Sequence, residues 1–225
     1  LDDKGLIAGA LLKGTARGET ATDWAGVEKR AQLAAPQVSI LAVDIAPDGT
    51  QTPVHRSGDQ GLRPPGSMFK LYVLAAVADQ VAAGRLDWER QLTLTAADKT
   101  LPSGTLQDEP DGTKITVREA AKQMISISDN TATDLLIRTV GEPAVRASAA
   151  RAGHRHPASI TPFLTAKQMF WLGYDPSAPA QAARREWKDA DEARRRELLA
   201  ALPMPGPGPK EAGTGPAQWP QGIEW

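Results

Sequence analysis

The longest nearly continuous apolar segment of the chain is PPGSMFKLYVLAAVADQ, residues 64–80. Two prolines and a glycine interrupt whatever precedes it, and Ser67 is a residue type that favours the start of a helix. The segment therefore predicts a helix that begins at Ser67 and stops near Gly84. Because this helix has hardly any polar face, neighbouring elements are expected to bury it on every side. It is too short to span a membrane, which takes ~20 apolar residues.

Two other segments have the pattern of β-structure. Residues 36–56, PQVSILAVDIAPDGTQTPVHR, carry β-branched runs on both sides of a Pro-Asp-Gly turn, which predicts a strand–turn–strand unit. Residues 5–14, GLIAGALLKG, predict a short apolar strand. The chain is therefore expected to mix helices and strands.

Capping signals predict three more helices. They are Asp23 before residues 24–34, Thr116 with Glu119 before a helix that ends near Ser126, and Thr131 with Asp134 before a helix that ends near Val140. Residues 181–202 predict one charged amphipathic helix that buries Trp187, Leu198, Leu199 and Leu202. The proline- and glycine-rich residues 203–222 predict a loop.

Composition narrows the classes of protein that fit. The 225 residues are 41% hydrophobic and 24% charged, which suffices for one full domain or for one domain and a fragment. The formal net charge of −1 gives no reason to expect nucleic acid or an anionic membrane as a partner. The chain has no cysteine, which excludes disulfides, thiolate nucleophiles and thiolate metal sites.

Lys70 interrupts the head of the apolar helix. It lies one turn after Ser67, so the two side chains share a helix face. Burial lowers the pKa of a lysine, and such a lysine can take a proton from a neighbouring hydroxyl. Taken alone, Ser-x-x-Lys has two interpretations: a nucleophile pair, or a capping serine beside a lysine that extends to water.

A second motif favours the nucleophile pair. Ser128-Asp129-Asn130 lies 61 residues after Ser67, in the tight link between two predicted helices. Ser-x-x-Lys followed by Ser-Asp-Asn is the signature of class A β-lactamases and penicillin-binding proteins, and the chain resembles them in motifs, spacing and surrounding elements. The resemblance implies an α+β fold, in which an antiparallel sheet is flanked by helices and joined to a mostly helical lobe. The site is expected at their junction.

Within this family the chain looks closest to the two-domain β-lactamase-like serine hydrolases of the clavulanic acid cluster type. Four segments carry that likeness: PPGSMFKLYVLAAVADQVAAGRLDW, LPSGTLQDEPDGT, MISISDNTATDLLI and TPFLTAKQMFWL. In that branch a small α+β domain precedes the hydrolase domain. The resemblance therefore implies that residues 1–14 are the last strand of a truncated leading domain, residues 15–22 a linker, and residues 23–225 the hydrolase domain.

Carried onto this sequence, the resemblance implies catalytic roles for Ser67, Lys70 and Ser128. Ser67 is expected to be the nucleophile, with its own N–H as half of an oxyanion hole. Lys70 is expected to act as the base or within a proton relay, and Ser128 to pass a proton to the leaving nitrogen. Asn130 is expected to hold Lys70 and the substrate amide. Asp129 is expected to cap the next helix rather than to contact substrate.

The glutamate that activates the deacylating water in class A enzymes has no counterpart in the sequence. The acidic residues between positions 131 and 180 are Asp134, Glu142 and Asp175. None of them lies in SITPFLTAKQMF, where the resemblance places the glutamate. Slow deacylation is therefore expected.

The third motif of the family, Lys-[Thr/Gly]-Gly on a sheet strand, is also missing. Lys210 is a poor substitute because Glu-Ala follows it within the proline- and glycine-rich loop. The resemblance places this motif beyond Trp225. The C-terminal strands are therefore expected to be missing from this chain, and a complementary C-terminal segment of the same protein is an expected partner.

These observations predict a serine hydrolase that forms an acyl-enzyme on Ser67 with a β-lactam or ester carbonyl. Two alternatives stay open: a D,D-peptidase that acts on cell-wall peptides, and a non-catalytic penicillin-binding-like module. The expected ligand is a small β-lactam, ester or peptide, with no nucleic acid, membrane or cofactor. No metal is expected either, because His154 and His156 have no third ligand nearby. The location stays open, although the resemblance favours a bacterial, extracytoplasmic one.

Overall fold

Two units make up the chain, Leu1–Gly61 and Leu62–Trp225, and the computed structural model describes residues 20–58 and 66–209. The predicted strand at residues 5–14 lies outside the described residues. The domain limits inferred from the resemblance stay predictions.

A helix and a hairpin form the described part of the first unit, as the sequence predicts. They are helix α1 at Trp24–Ala34, strand β1 at Ile40–Ile45 and strand β2 at Gln51–Ser57, and the two strands pair antiparallel. Asp23 caps α1 by accepting a hydrogen bond from the N–H of Gly26 at 2.8 Å. The ring of His55 stacks on Trp24 with 4.3 Å between ring centroids, so α1 packs against the hairpin.

Helices dominate the described part of the second unit. They are α2 at Lys70–Ala82, α3 at Val117–Ser126, α4 at Asn130–Val140, α5 at Glu142–Arg151, α6 at Ala166–Tyr174, α7 at Ala178–Glu186 and α8 at Glu192–Ala200. Strands β3 at Gln91–Thr93 and β4 at Lys114–Thr116 form a short antiparallel pair before α3. Three 3₁₀ turns lie at Gly66–Phe69, Leu106–Asp108 and Pro157–Ile160.

Two apolar clusters hold these elements together. The larger one joins α2, α3, α4 and α5, and the smaller one joins α6, α7 and α8 around Trp187. Burying an aliphatic side chain typically contributes ~1.5–3 kcal/mol, so the larger cluster is the main stabilising core.

Helix α4, not α2, is the most fully buried helix of the larger cluster. Nine of its residues are buried, polar ones among them: Asn130, Thr131, Ala132, Thr133, Asp134, Leu135, Leu136, Ile137 and Val140. The prediction that α2 is buried on every side is wrong. Its residues Val73 and Val77 are fully buried, but Leu71 is 53% exposed, and Met68 just before it is 66% exposed.

Three predicted helix boundaries also need correction. Ser67 does not cap α2, because it lies inside the 3₁₀ turn at Gly66–Phe69 that precedes the helix. Asp129 rather than Thr131 caps α4, and its side chain accepts from the N–H of Ala132. The expected helix at residues 181–202 is two helices, because Asp191 accepts from the N–H of Arg194 and starts α8.

The boundaries that rested on strong caps are confirmed. Thr116 accepts a hydrogen bond from the N–H of Glu119, and α3 ends at Ser126 as expected. The four side chains expected to be buried in residues 181–202 are buried: Trp187, Leu198, Leu199 and Leu202.

In residues 20–58 and 66–209, none of the helices combines the length and the apolar character needed to cross a bilayer. Over the same ranges, no group of three or more His, Cys, Asp or Glu residues is arranged to hold a metal ion.

Candidate active site

The start of α2 positions Ser67 and Lys70 in contrasting environments. Ser67 is exposed, in the 3₁₀ turn, whereas Lys70 is 1% exposed as the first residue of the helix. Phe69 between them is 2% exposed and anchors the turn in the apolar core. The sequence therefore folds into a turn that keeps a hydroxyl at the surface and a lysine beneath it.

The link between α3 and α4 brings the second motif to these residues. Ser128 has a φ of 58°, a left-handed conformation that costs a non-glycine residue ~1–3 kcal/mol. This conformation reverses the chain within residues 127–129, so that Ser128 and Asn130 face Lys70.

Hydrogen bonds join the predicted site residues into one continuous network. The Oγ atoms of Ser67 and Ser128 lie 3.0 Å apart, and Lys70 Nζ donates to Ser128 Oγ at 2.9 Å. Lys70 also donates to the carbonyl of Ser128 at 2.6 Å and to Oδ1 of Asn130 at 2.7 Å. The structure thus brings together all four residues that the motifs single out. Ser128 joins Ser67 to Lys70, whereas the sequence predicted a direct contact across one helical turn.

Burial lowers the pKa of Lys70 to about 8, and the carboxylates of Asp129 and Asp134 limit this shift. An ammonium group transferred out of water loses hydration, which favours its neutral form. A lysine with a pKa of about 8 has a substantial neutral fraction near physiological pH, unlike an exposed lysine.

Asn130 is held from both sides. Its N–H donates to the carbonyl of Ser103 at 2.9 Å, and Oδ1 accepts from Lys70. Since Nδ2 donates to the carbonyl of Leu101 at 3.4 Å, the oxygen of the amide is turned toward Lys70. The loop at residues 101–107 therefore fixes the orientation of this side chain.

Asp129 is fully buried and accepts hydrogen bonds from three backbone N–H groups in two segments. One carboxylate oxygen accepts from the N–H of Ala132 at the start of α4, and the other accepts from Thr105 at 2.7 Å and Leu106 at 3.0 Å. Gly104 makes this approach possible. Its φ is 109°, and a Cβ added there would lie 2.2 Å from Asp129 Oδ2. The expected capping role of Asp129 is confirmed, and the role in holding the loop is additional.

Asp134 is a structural residue that the sequence interpretation misassigned. It does not cap its own helix but accepts from the N–H groups of Ala166 at 2.6 Å and Lys167 at 2.9 Å, at the start of α6. The hydroxyl of Thr100 donates to it at 2.7 Å. Burial raises the pKa of Asp134 to about 6, and these three hydrogen bonds oppose the shift. The sequence offered one signal for this contact: Asp134 lies four residues after Asn130 and directly before the apolar residues Leu135, Leu136 and Ile137.

The two other acidic residues between positions 131 and 180, Glu142 and Asp175, also form hydrogen bonds. Glu142 accepts from the N–H of Phe163 at 3.0 Å and forms a two-point contact with Arg196. Asp175 accepts from both the N–H and the hydroxyl of Ser177, at the start of α7. Each of these carboxylates thus stabilises a helix end or a loop.

The fold and the site together define the class of this protein. The chain belongs to the β-lactamase enzyme family, whose family model matches residues 26–191. The expected α+β, β-lactamase/transpeptidase-like fold class and the expected family are therefore confirmed.

Solved structures give particular relatives. A β-lactamase from Sphaerobacter thermophilus is 35% identical with a TM-score of 0.50, over 59% of this chain and 50% of that one. The penicillin-binding protein PBP-A is 20% identical with a TM-score of 0.48, over 73% and 68% of the two chains. An ancestral class A β-lactamase is 24% identical with a TM-score of 0.49, over 76% and 68%.

The chain spans half the length of the Sphaerobacter β-lactamase. A comparison with curated proteins found no match. The closer likeness to the two-domain branch of the clavulanic acid cluster type stays a prediction.

Proposed function

We propose that this protein is a serine hydrolase that forms an acyl-enzyme on Ser67 with a β-lactam or ester carbonyl and deacylates slowly. The observation that carries the proposal is the hydrogen-bonded chain from Ser67 Oγ through Ser128 Oγ to Lys70 Nζ. A serine becomes a nucleophile when a nearby base can take its proton, and a lysine with a lowered pKa is such a base.

The number of N–H donors on Lys70 indicates in which direction protons move along the hydrogen bonds that join Ser67, Ser128 and Lys70. A charged lysine has three N–H donors, and the structure supplies three acceptors: Ser128 O, Ser128 Oγ and Asn130 Oδ1. A neutral lysine keeps two donors for the carbonyl and the amide, so its lone pair faces Ser128 Oγ. Ser128 then donates to Lys70 and accepts from Ser67, which is the arrangement needed for attack.

Acylation follows from this arrangement. As Ser67 Oγ attacks the carbonyl carbon, its proton passes to Ser128 Oγ while the Ser128 proton passes to Lys70. When the C–N or C–O bond breaks, Ser128 gives a proton to the leaving atom and regains one from the Lys70 ammonium. The N–H groups at the start of α2 favour the negative charge that develops on the carbonyl oxygen.

Deacylation needs a second base, because water must be activated next to the acyl carbonyl. The engagement of Asp134, Glu142 and Asp175 in structural hydrogen bonds supports the view that none of them serves. The segment SITPFLTAKQMF contributes no further carboxylate. The acyl-enzyme is therefore expected to persist.

Removal of the Ser128 hydroxyl tests the relay. We expect Ser128→Ala to slow acylation by about 10²–10⁴-fold, the usual contribution of a positioned acid–base group. The measurement is the second-order rate of labelling of Ser67 by a chromogenic cephalosporin, followed by intact-mass spectrometry.

Ser128→Gly separates chemistry from strain in that experiment. Glycine adopts a φ of 58° without cost, so this variant should be at least as stable as the parent while lacking the hydroxyl. Ser126→Ala, at the exposed end of α3, is the matched serine control and should label normally. Normal labelling of both Ser128 variants would remove Ser128 from the relay.

The pH dependence of acylation tests Lys70. Because the neutral amine is the active form and its pKa is about 8, we expect the acylation rate to fall tenfold per pH unit below pH 8 and to level off above it. Labelling rates between pH 5.5 and 9.5 measure this. A rate independent of pH between 6 and 9 would contradict the assignment of Lys70 as the base.

Two further assays distinguish the alternative functions that the sequence leaves open. Release of D-alanine from a cell-wall peptide at a rate well above cephalosporin acylation would favour a D,D-peptidase. Reversible penicillin binding without a mass adduct would favour a non-catalytic module.

A further inference from the structure

A cavity in the larger unit has none of the four candidate site residues among its described lining residues. It measures about 320 Å³ and lies between α5 and the 3₁₀ turn at Pro157–Ile160. Its apolar lining residues are Pro143, Ala147, Ala150, Pro157 and Ile160. Its two remaining lining residues, Arg146 and His154, are both basic, and none of the described lining residues carries a carboxylate.

Arg146 has hydrogen-bonding capacity to spare. Its Nη1 atom lies 3.5 Å from Glu192 and 3.8 Å from Glu142. Both carboxylates make closer contacts with Arg196, at 2.6 and 2.9 Å, so Arg196 is their main partner. Within the described part of the chain, no hydrogen bond involves Nε or Nη2 of Arg146. That edge of a guanidinium group is one that a carboxylate can bind at two points.

We propose that this cavity binds a small organic carboxylate with a compact apolar body. The volume lies at the lower end of the range for ligand pockets, which suits a molecule of about ten non-hydrogen atoms. The apolar wall takes the body of the ligand, and the free edge of Arg146 takes the carboxylate. This proposal does not depend on the chemistry proposed for Ser67.

His154 makes the cavity observable. Its Nε2 lies 3.1 Å from the carbonyl of His156, to which it donates, and its ring packs edge-on against Tyr72 of α2 at 5.9 Å. A ligand in the cavity therefore lies against an imidazole that contacts the helix carrying Lys70. The chain has three histidines, and His55 lies in the other unit, so it serves as an internal control.

The test is a titration followed by the ring-proton NMR signals of the three histidines. The probe is 3-phenylpropionate, and its neutral match is 3-phenylpropanamide. The His154 signal, assigned with His154→Asn, should shift saturably with a Kd of about a millimolar or tighter. The His55 signal should not move, and the amide should bind about tenfold more weakly or worse.

Two variants decide whether the cavity is responsible. Arg146→Met keeps the length of the side chain and should weaken 3-phenylpropionate binding about tenfold, whereas Arg118→Met, at an exposed arginine paired with Glu89, should have no effect. Ala147→Phe should fill the cavity and abolish the shift. Equal binding of acid and amide, or unchanged binding by both cavity variants, would overturn the proposal.

Discussion

Replacement of Ser67 by alanine is expected to abolish covalent labelling of the protein by a fluorescent penicillin. Ser67 is the exposed end of the hydroxyl chain, and no other hydroxyl lies in that position with a bonded relay to Lys70 in the described residues. Loss of a serine nucleophile typically removes ~10⁶-fold of the rate, so no band should be visible after hours of incubation.

The variant should remain folded because the Ser67 side chain is exposed and does not cap α2. Circular dichroism and thermal melting check this, and Ser126→Ala is the matched control that should label at the parental rate. Labelling of the Ser67 variant at the parental rate would show that another residue is the nucleophile.

Incubation of the protein with a cephalosporin is expected to accumulate a mass adduct on Ser67 with minimal turnover. Lys70 can activate Ser67 for acylation, but deacylation needs a base that reaches a water at ~3 Å from the acyl carbonyl. Thr161, Thr165 and Gln168 lie in the segment where that base is expected, and none of them is a carboxylate. The lost base contribution should slow hydrolysis of the acyl-enzyme by about 10²–10⁴-fold.

Intact-mass measurement during steady state decides this second expectation. The adduct should dominate while the cephalosporin absorbance changes by about one equivalent per enzyme, although a simple ester with a better leaving group can turn over slowly. Rapid cephalosporin hydrolysis with no detectable adduct would mean that a deacylating base exists. Where the adduct does accumulate, peptide mapping locates the modified serine.

That the four candidate site residues lie close together could be predicted from sequence because each motif is local. Ser67 and Lys70 lie within one turn, and Ser128 and Asn130 lie within one short link, so their spacing limits where they can be. The family signature then joined the two motifs. The intermediate position of Ser128 was not predictable, because it depends on a φ of 58° that no residue preference of serine favours.

Contacts between distant segments were harder to predict. Asp134 binds α6 backbone 32 residues away, and a capping pattern nearby offered a simpler explanation. The apolar pattern also predicted that α2 is the central helix, whereas α4 is the more fully buried one. Helix α4 is buried despite its polar residues, because hydrogen bonds such as that from Thr100 N–H to Thr131 offset the cost of burying them. The break between α7 and α8 was also predictable in principle, because Asp191 is a residue type that favours a helix start. The amphipathic pattern of residues 181–202 favoured one continuous helix instead.

The close approach of Asp129 to Gly104 limits which substitutions the loop at residues 101–107 can accept. A side chain at position 104 would collide with the carboxylate that caps α4 and holds residues 105 and 106. Random mutagenesis of the loop would therefore return nonfunctional clones at position 104 whatever substrate is selected. A library aimed at a new acyl group should keep positions 104 and 129 constant and diversify Gln107, whose side chain donates to the carbonyl of Gly104 at 2.8 Å and to Asp108 at 3.3 Å within the same loop.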